Sequence, residues 1–279
     1  YPGTSDQRDG TDPTSPLTTI QAAVDLCTDY AGDVIVVMQN GAWQYAEGVT
    51  YTTIIAEEVT LDKAGVRLVG LSPGGIGVPW SPASDGGTCL TITGIDCLVE
   101  GFCFTEGAYS GLDAIYAEWD GTTTYGENLV VRNCVFDDTV DTAIQLEYTW
   151  YCEIHHNWFI ECDEYGVYVD AAGSGIDYCE IHHNWFHDCG TAALSLAGTG
   201  NCKVHHNNVY DTDAQNGAAA TNAGINTTGG NNNLVEHNTL SCLLPVPANG
   251  DYDDFCTAAA TDAWVQNYCM DGPSVTNPT

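Results

Sequence analysis

The segment CEIHHNWF occupies residues 152–159 and returns unchanged at residues 179–186. Degenerate copies of it occur at intervals of roughly 25 residues, at 97–104, 128–136, 202–209 and 233–240. Each copy is followed by a second short apolar run, such as TAIQLEY at 142–148. A period of this length, which tolerates insertions between copies, is typical of a solenoid built from stacked turns.

Both runs of each repeat are short, rich in β-branched and aromatic residues, and bounded by Gly, Asp, Asn and Thr. These features predict strands rather than helices. Two or three strands per turn predict an all-β chain, folded as a single-stranded right-handed parallel β-helix. Like residues of successive turns then stack in columns about 4.8 Å apart. Two apolar columns are predicted to lie in the core: Ile154, Ile181, Val204 and Val235, and Phe159, Phe186, Val209 and Leu240.

Alignment of the copies on their asparagine gives a third column, Asn133, Asn157, Asn184, Asn207 and Asn238. Gly101 takes the same place in the most degenerate copy. Asparagine tolerates the left-handed backbone conformation, and its amide can bond the turns above and below. We therefore expect this column to mark a corner of the solenoid.

The regions outside the repeats predict caps. Residues 15–32 carry apolar residues at helical spacing, Pro16 near the first turn and a glycine stop, which predicts an N-terminal capping helix over the open end of the solenoid. The predicted organisation is an arm and cap helix at 1–31, a parallel β-helix at 32–242 and a C-terminal cap or arm at 243–279. No run approaches the ~18 apolar residues of a membrane span.

Charge restricts the partners of the chain. Five Lys and Arg residues face 38 Asp and Glu residues, for a formal net charge of −33. Nucleic acids and anionic membrane surfaces are bound by clustered Lys and Arg, so neither is an expected partner. The acid excess predicts high solubility, and it leaves a cation-binding role open.

Five of the thirteen cysteines also form columns, and two of these, Cys162 and Cys189, form the shorter column. Cys152, Cys179 and Cys202 are in register in the repeats, and no C-x-x-C pair is present. Cysteine packs as a small apolar residue, which favours free core thiols, while the spacing between turns also admits disulfides. Both alternatives stay open for the column. Cys256 and Cys269, in the irregular C-terminal segment, are the better disulfide candidates.

Seven of the eight histidines form two columns, His155, His182 and His205, and His156, His183, His206 and His237. Alternation from Ile154 predicts that the first column faces outward, and that the second turns toward the corner and the core. Outward imidazoles beside glutamates predict a transition-metal site at His155, His182 and His205. The alternative is a purely stacked ladder, because a ladder repeats one ligand instead of converging on one ion. Repetition is also the reason that no catalytic residue is predicted.

The second run of each repeat predicts a separate binding face. Its candidates for glycan or Ca²⁺ binding are Tyr116, Glu118, Trp119, Glu147, Tyr168 and Asp170. Aromatic rings beside carboxylates suit neutral sugars, and stacked carboxylates suit Ca²⁺. Two carboxylates could also form a glycosidase acid–base pair. An ordinary solvated face is the alternative.

The segments TTIQAAVDLC (18–27), GDVIVVMQNGAWQYAEGV (32–49) and GVRLVGL (65–71), together with the I-x-x-N turns, resemble the pectate-lyase-like right-handed β-helix superfamily. The resemblance covers about residues 15–242 and implies the same fold. That group includes polysaccharide lyases, polygalacturonase-like hydrolases, phage tailspikes and other virion proteins. Its lyases use an Arg or Lys base, and only Arg132 and Lys203 lie in the repeats. The Gly-His-Gly and Arg-x-Lys motifs of polygalacturonase-like enzymes are absent.

These departures favour a non-enzymatic extracellular or virion surface protein, such as a capsid decoration or spike-type subunit that also binds glycan. We expect such a protein to form a homo-oligomer or a larger assembly. The alternative is a secreted polysaccharide-degrading enzyme, either a lyase or a glycoside hydrolase. Neither function requires a cofactor, while Ca²⁺ or a histidine-bound transition metal stays open for both.

Overall fold

The computed structural model describes residues 10–11, 15–39, 54–72, 75–106, 111, 113–118, 126–139, 141–170, 178–210, 223–241, 255–256 and 261–269. These residues form three parallel sheets, and the chain visits the sheets in the same order at every turn. Apart from the first and last described strand of each sheet, each strand pairs with the strand one turn before it and the strand one turn after it. The predicted all-β solenoid is therefore confirmed.

The strands are short. Sheet 1 contains Val34–Met38, Arg67–Leu71, Leu98–Glu100, Val130–Arg132, Glu153–His155, Glu180–His182, Lys203–His205, Leu234–Glu236 and Ala263–Val265. Sheet 2 contains Ile55–Ala56, Val78–Ser81, Phe102–Thr105, Val135–Asp137, Trp158–Ile160, Trp185–His187, Asn208–Tyr210, Thr239–Ser241 and Tyr268–Cys269. Sheet 3 contains Val59–Leu61, Leu90–Ile92, Asp113–Ala117, Thr142–Glu147, Tyr165–Asp170, Ala192–Ser195, Ala223–Asn226 and Phe255–Cys256.

The two predicted apolar columns lie in the core. Ile154 pairs with Ile181, and both are fully buried. Phe159 stacks on Phe136 with ring centroids 4.8 Å apart and on Phe186 at 4.5 Å. Offset aromatic pairs of this kind are worth about 0.5–1.5 kcal/mol beyond the apolar area that they bury. The repeat thus builds its core from one aliphatic column and one aromatic column.

A ladder of buried asparagines joins the turns. Asn184 Oδ1 accepts hydrogen bonds from the backbone N and the Nδ2 of Asn157, at 3.0 and 3.1 Å. Asn184 Nδ2 donates to the carbonyl of Ile154 at 2.8 Å and to Asn207 Oδ1 at 3.1 Å. Asn207 repeats this pattern with Asn238. The asparagines therefore satisfy buried backbone groups between sheets 1 and 2.

The predicted alignment of Asn133 and Gly101 is wrong by one residue. Strand register pairs Phe136 with Phe159, so Cys134 is the residue level with Asn157, and its backbone N donates to Asn157 Oδ1. Asn133 and Gly101 fall one place earlier, level with His156. Their φ angles are 53° and 81°, and that of His156 is 57°. The left-handed position is therefore the residue before the buried asparagine.

This register corrects the second histidine column as well. His156, His183, His206 and His237 have φ between 55° and 57° and are exposed to solvent. The prediction that they turn toward the core is wrong, because it counts strand alternation through the turn. A residue in the left-handed conformation interrupts that alternation, so its side chain projects outward at the corner.

The N-terminal helix is shorter than predicted. It spans Ile20–Val24, with Thr19 as N-cap and with Ile20 and Val24 buried. Glu57 accepts hydrogen bonds from the backbone N of Ile20 at 2.9 Å and that of Gln21 at 2.8 Å, which satisfies donors of the first turn. No helix in the described part of the chain is long and apolar enough to cross a membrane.

The strands Phe255–Cys256, Ala263–Val265 and Tyr268–Cys269 continue all three sheets beyond the predicted end of the solenoid at residue 242. Trp264 pairs with Val235 and is buried on the last described turn of sheet 1.

The cysteines of the central column, Cys152, Cys179 and Cys202, are buried free thiols. The proposed pairing of Cys256 with Cys269 lies outside the described side chains.

Candidate functional site

The outer face of sheet 1 carries the ionisable columns of the repeat. Glu100, Arg132, His155, His182, His205 and Glu236 form one column, and Glu153, Glu180 and Lys203 form the next. Arg67, Arg132 and Lys203, three of the five cationic residues of the chain, lie in strands of this sheet. Sheet 1 is therefore a mixed-charge face on a strongly acidic protein.

Several of these side chains are paired across turns. Arg132 Nη2 donates to Glu100 Oε2 at 2.8 Å. Burial raises the pKa of Glu100, but the hydrogen bonds from Arg132 and Asn133 outweigh it and hold that pKa below its usual range. Lys203 Nζ lies 3.7 Å from Glu180 and 3.4 Å from Glu236. The two cations are thus engaged by glutamates of neighbouring turns.

The predicted metal trio His155, His182 and His205 does not converge. His155 stacks on His182 with centroids 5.0 Å apart and planes 1° from parallel, and His182 stacks on His205 at 4.9 Å and 8°. Imidazole lone pairs lie in the ring plane, so three stacked rings direct them along parallel lines. The structure instead groups Glu153 with His155 and His182, whose ligand atoms lie within 4.8 Å of one another.

A chain of hydrogen bonds connects Glu153 to the corner. Glu153 Oε1 lies 3.0 Å from Nε2 of His182, and His182 Nδ1 lies 2.8 Å from Nδ1 of His183. A carboxylate only accepts, so Nε2 of a neutral His182 carries the hydrogen and its Nδ1 accepts from Nδ1 of His183. This assignment leaves Nε2 of His183 with a free lone pair, which is the proton-accepting state of a general base.

The same relay recurs one turn later. Glu180 Oε1 lies 2.7 Å from His205 Nε2, and His205 Nδ1 lies 2.8 Å from His206 Nδ1. Burial raises the pKa of Glu180, but the hydrogen bond to His205 together with the charges of His205, Lys203 and His182 outweighs it, and the net pKa is lowered. Desolvation, then neighbouring imidazoles led by His182, lower the pKa of His183 below 6.5. The neutral form of His183 is therefore favoured.

These relays end in an open groove of about 420 Å³ along the corner between sheets 1 and 2, lined by His156, Trp158, His183, Asn184, Trp185, His206 and Asn208. Trp158 is 56% exposed, and its ring lies 5.4 Å from that of Trp185. Exposed indole rings beside polar groups suit the faces and hydroxyls of sugars. None of the described lining residues is acidic.

Sequence reasoning missed the groove residues His183, His206, Trp158 and Trp185 as a site. The available signal was compositional: once the repeats are aligned on their phenylalanine, the column of His156 also contains Gly101 and Asn133. Gly, Asn and His are enriched at positive φ. That column therefore indicates an outward corner, and Trp158 and Trp185 follow it by two residues on successive turns.

The predicted sheet 3 face is assembled in part. Tyr116 Oη donates to Glu147 Oε2, and burial followed by that hydrogen bond raises the pKa of the phenol. Burial, followed by the charge of Glu147, raises the pKa of Glu118. Tyr168 is half-buried and stacks on Tyr165 at 4.8 Å. Asp170 pairs in register with Glu147, but its side chain lies outside the described residues, as does Trp119.

Beside this face, Asp113 lines a cavity of about 20 Å³ with Glu106 and Thr139. Its Oδ1 is shielded from solvent and has no hydrogen-bond donor within the described part of the chain. Burial, followed by the charges of Asp141 and Glu164, raises its pKa from 3.8 to about 7. An ionised Asp113 therefore destabilises the folded chain.

Asp113→Asn should stabilise the protein at pH 8 and have little effect at pH 4. The folded chain binds more protons than the unfolded chain between pH values of about 4 and 7, so stability falls as pH rises through that window. Asparagine removes the charge, for an expected gain of about 1–3 kcal/mol after discounting for partial exposure. Thermal unfolding from pH 4 to pH 8 measures it. The exposed Asp85→Asn is the control, and equal pH profiles for both variants would contradict the prediction.

Comparisons with known proteins agree with this fold. The family model described as "Right handed beta helix region" matches residues 88–209. The alginate lyase of Paenibacillus sp. str. FPU-7 superposes with a TM-score of 0.57 at 14% identity, over 89% of this chain and 95% of that one. The DFA-IIIase of Arthrobacter chlorophenolicus A6 gives 0.46 at 15% identity, over 87% and 61%. The A-module of the Azotobacter vinelandii mannuronan C-5 epimerase gives 0.35 at 14%, over 91% and 93%. Among curated proteins none matches the chain.

The chain therefore has the right-handed parallel β-helix of the pectate-lyase-like fold, and the predicted resemblance is confirmed at the level of the fold. The expectation of a non-enzymatic surface protein of virions is wrong. The finding that overturns it is the superposition on the alginate lyase of Paenibacillus, which agrees with the alternative. The expectation rested on missing Arg and Lys bases, and the histidine relays show that the chain has other candidates for that role.

Proposed function

We propose that the chain is a secreted polysaccharide-degrading enzyme of the lyase type, with its active site in the groove between sheets 1 and 2. The observation that carries the proposal is the Glu153–His182–His183 relay, which ends at a proton-accepting nitrogen beside two tryptophans. The similar structure from Paenibacillus is that of an alginate lyase, which supports the same class of reaction.

The composition of the groove favours a lyase over a glycosidase. A glycosidase needs two carboxyl groups that flank the scissile bond, and the described lining residues supply none. A lyase needs a base that can reach the proton α to a carboxyl group. Neutral His183 fits that role, because desolvation lowers its pKa and its Nδ1 lies within hydrogen-bond distance of His182.

The substrate class follows from the reaction. β-Elimination needs a carboxyl group next to the carbon that loses its proton, so the substrate is an acidic, uronate-containing polysaccharide. A net charge of −33 repels such a chain from most of the surface. The groove offers imidazoles, indoles and an exposed asparagine instead, and it adjoins the sheet that carries Arg132 and Lys203.

In the proposed step, Nε2 of His183 removes the α proton, the C–H electron pair forms the new double bond, and the glycosidic C–O bond breaks. The imidazolium then returns its proton to the leaving oxygen. Glu153 acts through His182 to hold the tautomer and to stabilise the charge that develops on His183, which is the part that a carboxylate plays beside a catalytic histidine.

The experiment is turnover of a panel of uronate-rich and neutral polysaccharides, followed by ultraviolet absorbance of unsaturated products and by new reducing ends. We expect both signals to rise together on an acidic glycan. Trp158→Ala and Trp185→Ala should each raise KM about tenfold, since an aromatic contact is worth about 1–1.5 kcal/mol. Reducing ends without unsaturated product would overturn the lyase assignment, and turnover of no glycan would overturn the proposal.

A second candidate site is the cluster of Tyr116, Glu118 and Glu147 on sheet 3. The observation that favours it is the Tyr116 hydroxyl, which bonds Glu147 and influences Glu118, so two carboxyl groups of adjacent turns share one neighbour. Such a pair suits a retaining glycosidase or a Ca²⁺ ion. Glu147→Gln in the same assay separates the sites: loss of activity there, with the tryptophan variants unaffected, would place the chemistry on sheet 3.

A further inference from the structure

Glu153, His155 and His182 form a compact group of metal-binding atoms beside the proposed relay. Glu153 Oε1 lies 3.0 Å from His182 Nε2 and 3.8 Å from His155 Nε2. The side chains of His155 and His182 are only 15% and 14% exposed, so little solvent competes for their nitrogens. Among the described residues this is the group of three potential ligands whose atoms lie within 4.8 Å of one another.

We propose that Glu153, His155 and His182 bind one divalent transition-metal ion of the Zn²⁺ class. Two imidazoles and one carboxylate are ligands that Zn²⁺ takes in sites with an open fourth position. Tetrahedral coordination at 2.0–2.1 Å sets ligand atoms about 3.3 Å apart, so binding requires the two rings to tilt out of their parallel stack and bring their nitrogens toward Glu153.

The next turn offers a poorer site. There, Lys203 Nζ lies 3.7 Å from Glu180 Oε1, which places an ammonium group beside the carboxylate that a metal would use. On the proposed turn, Arg132 pairs in register with His155, and its guanidinium is held by Glu100 at 2.8 Å. Local charge therefore predicts one ion at Glu153 rather than one ion per turn.

Metal binding has a consequence for the relay, and this part rests on the proposed function. A metal-bound imidazole donates its other N–H to a neighbour. With metal on Nε2 of His182, its Nδ1 carries the hydrogen and donates to Nδ1 of His183 across 2.8 Å. The neutral His183 then carries its hydrogen on Nε2 and is no longer a base. The ion should therefore inhibit turnover.

The test is calorimetric titration of the chelator-treated full chain with Zn²⁺ in the presence of excess Mg²⁺, which suppresses binding to surface carboxylates. We expect one ion per chain. Glu153→Gln and His182→Ala should each weaken binding about 10- to 100-fold, by analogy with losses of groups that support metal ligands. His237→Ala is the matched control, because this exposed histidine lies outside the trio. Circular dichroism checks that each variant is folded.

Absence of Zn²⁺ binding below millimolar concentration would overturn the proposal, and so would binding that neither trio variant weakens. Copper(II) electron paramagnetic resonance gives a second readout, since two nitrogen ligands should become one in His155→Ala. Inhibition is measured separately. Zn²⁺ binding without inhibition of an active enzyme would support the metal site and contradict its proposed effect on the relay. If no glycan is turned over, the titration still tests the metal site by itself.

Discussion

Replacing His183 by alanine should lower kcat/KM on the acidic glycan by about 10²–10⁴-fold, the usual contribution of a general base. His183 is the proposed general base, and the alanine side chain has no group that can accept a proton. The loss should appear in kcat rather than KM, because the base acts in the transition state. Initial rates of formation of unsaturated product measure the effect.

Matched histidines test whether this effect belongs to the relay. His237→Ala removes an exposed imidazole of the same column, one turn beyond His206, and should leave the rate within a few-fold of the unaltered enzyme. His206→Ala removes the histidine at the end of the second relay. Comparing its loss of activity with that of His183→Ala shows which turn supplies the base. Equal losses in all three variants would indicate a general effect of the column and would contradict a specific base at His183.

Glu153→Gln separates positioning from proton transfer. Glutamine keeps an acceptor for Nε2–H of His182 but removes the negative charge that stabilises a developing imidazolium. We expect a loss of about 10- to 100-fold in kcat with an unchanged KM. Glu100→Gln, which removes a sheet 1 glutamate outside the relay, is the control. A Glu153→Gln enzyme with full activity would contradict the role of the relay.

The sequence predicted the solenoid because the same period appears in the short apolar runs and in the asparagine, histidine and cysteine columns. Ile154 and Phe159 occupy core columns as expected, since strand alternation determines which side chains face inward. Alternation failed at the corner between sheets 1 and 2, where His156 and its equivalents have a positive φ. Counting through that residue turned an exposed column inward and hid the groove. The left-handed residue at this corner therefore separates a correct prediction of the fold from a correct prediction of the site.

Metal geometry could not be predicted from the columns either. A column gives residues at equal heights, but coordination depends on the directions of lone pairs. His155 and His182 stack within 1° of parallel, so a third stacked imidazole adds no convergent ligand, whereas Glu153 reaches across the face from the neighbouring column. Side-chain direction across a turn is a property of rotamers that spacing alone does not give.

Replacing Asn184 by alanine should destabilise the folded chain by about 3–5 kcal/mol. Asn184 is 1% exposed. Its amide accepts a hydrogen bond from the backbone N–H of Asn157 and donates one to the carbonyl of Ile154. Without it, these buried groups lose their partners, at about 1–3 kcal/mol each, and a cavity adds to the cost. Guanidinium unfolding followed by circular dichroism measures the change.

Two further variants show whether the ladder is the cause. Asn208→Ala removes an exposed asparagine of the next turn and should change stability by less than about 0.5 kcal/mol. Asn184→Asp keeps an acceptor for the N–H of Asn157 but deletes the donors to Ile154 and Asn207, and it should be destabilised more at pH 8 than at pH 4, because a buried carboxylate resists ionisation. Deleting a buried amide that is fully hydrogen-bonded is normally costly. If the free energy of unfolding of Asn184→Ala lies within about 1 kcal/mol of that of the unaltered chain, the apolar columns alone hold the turns together.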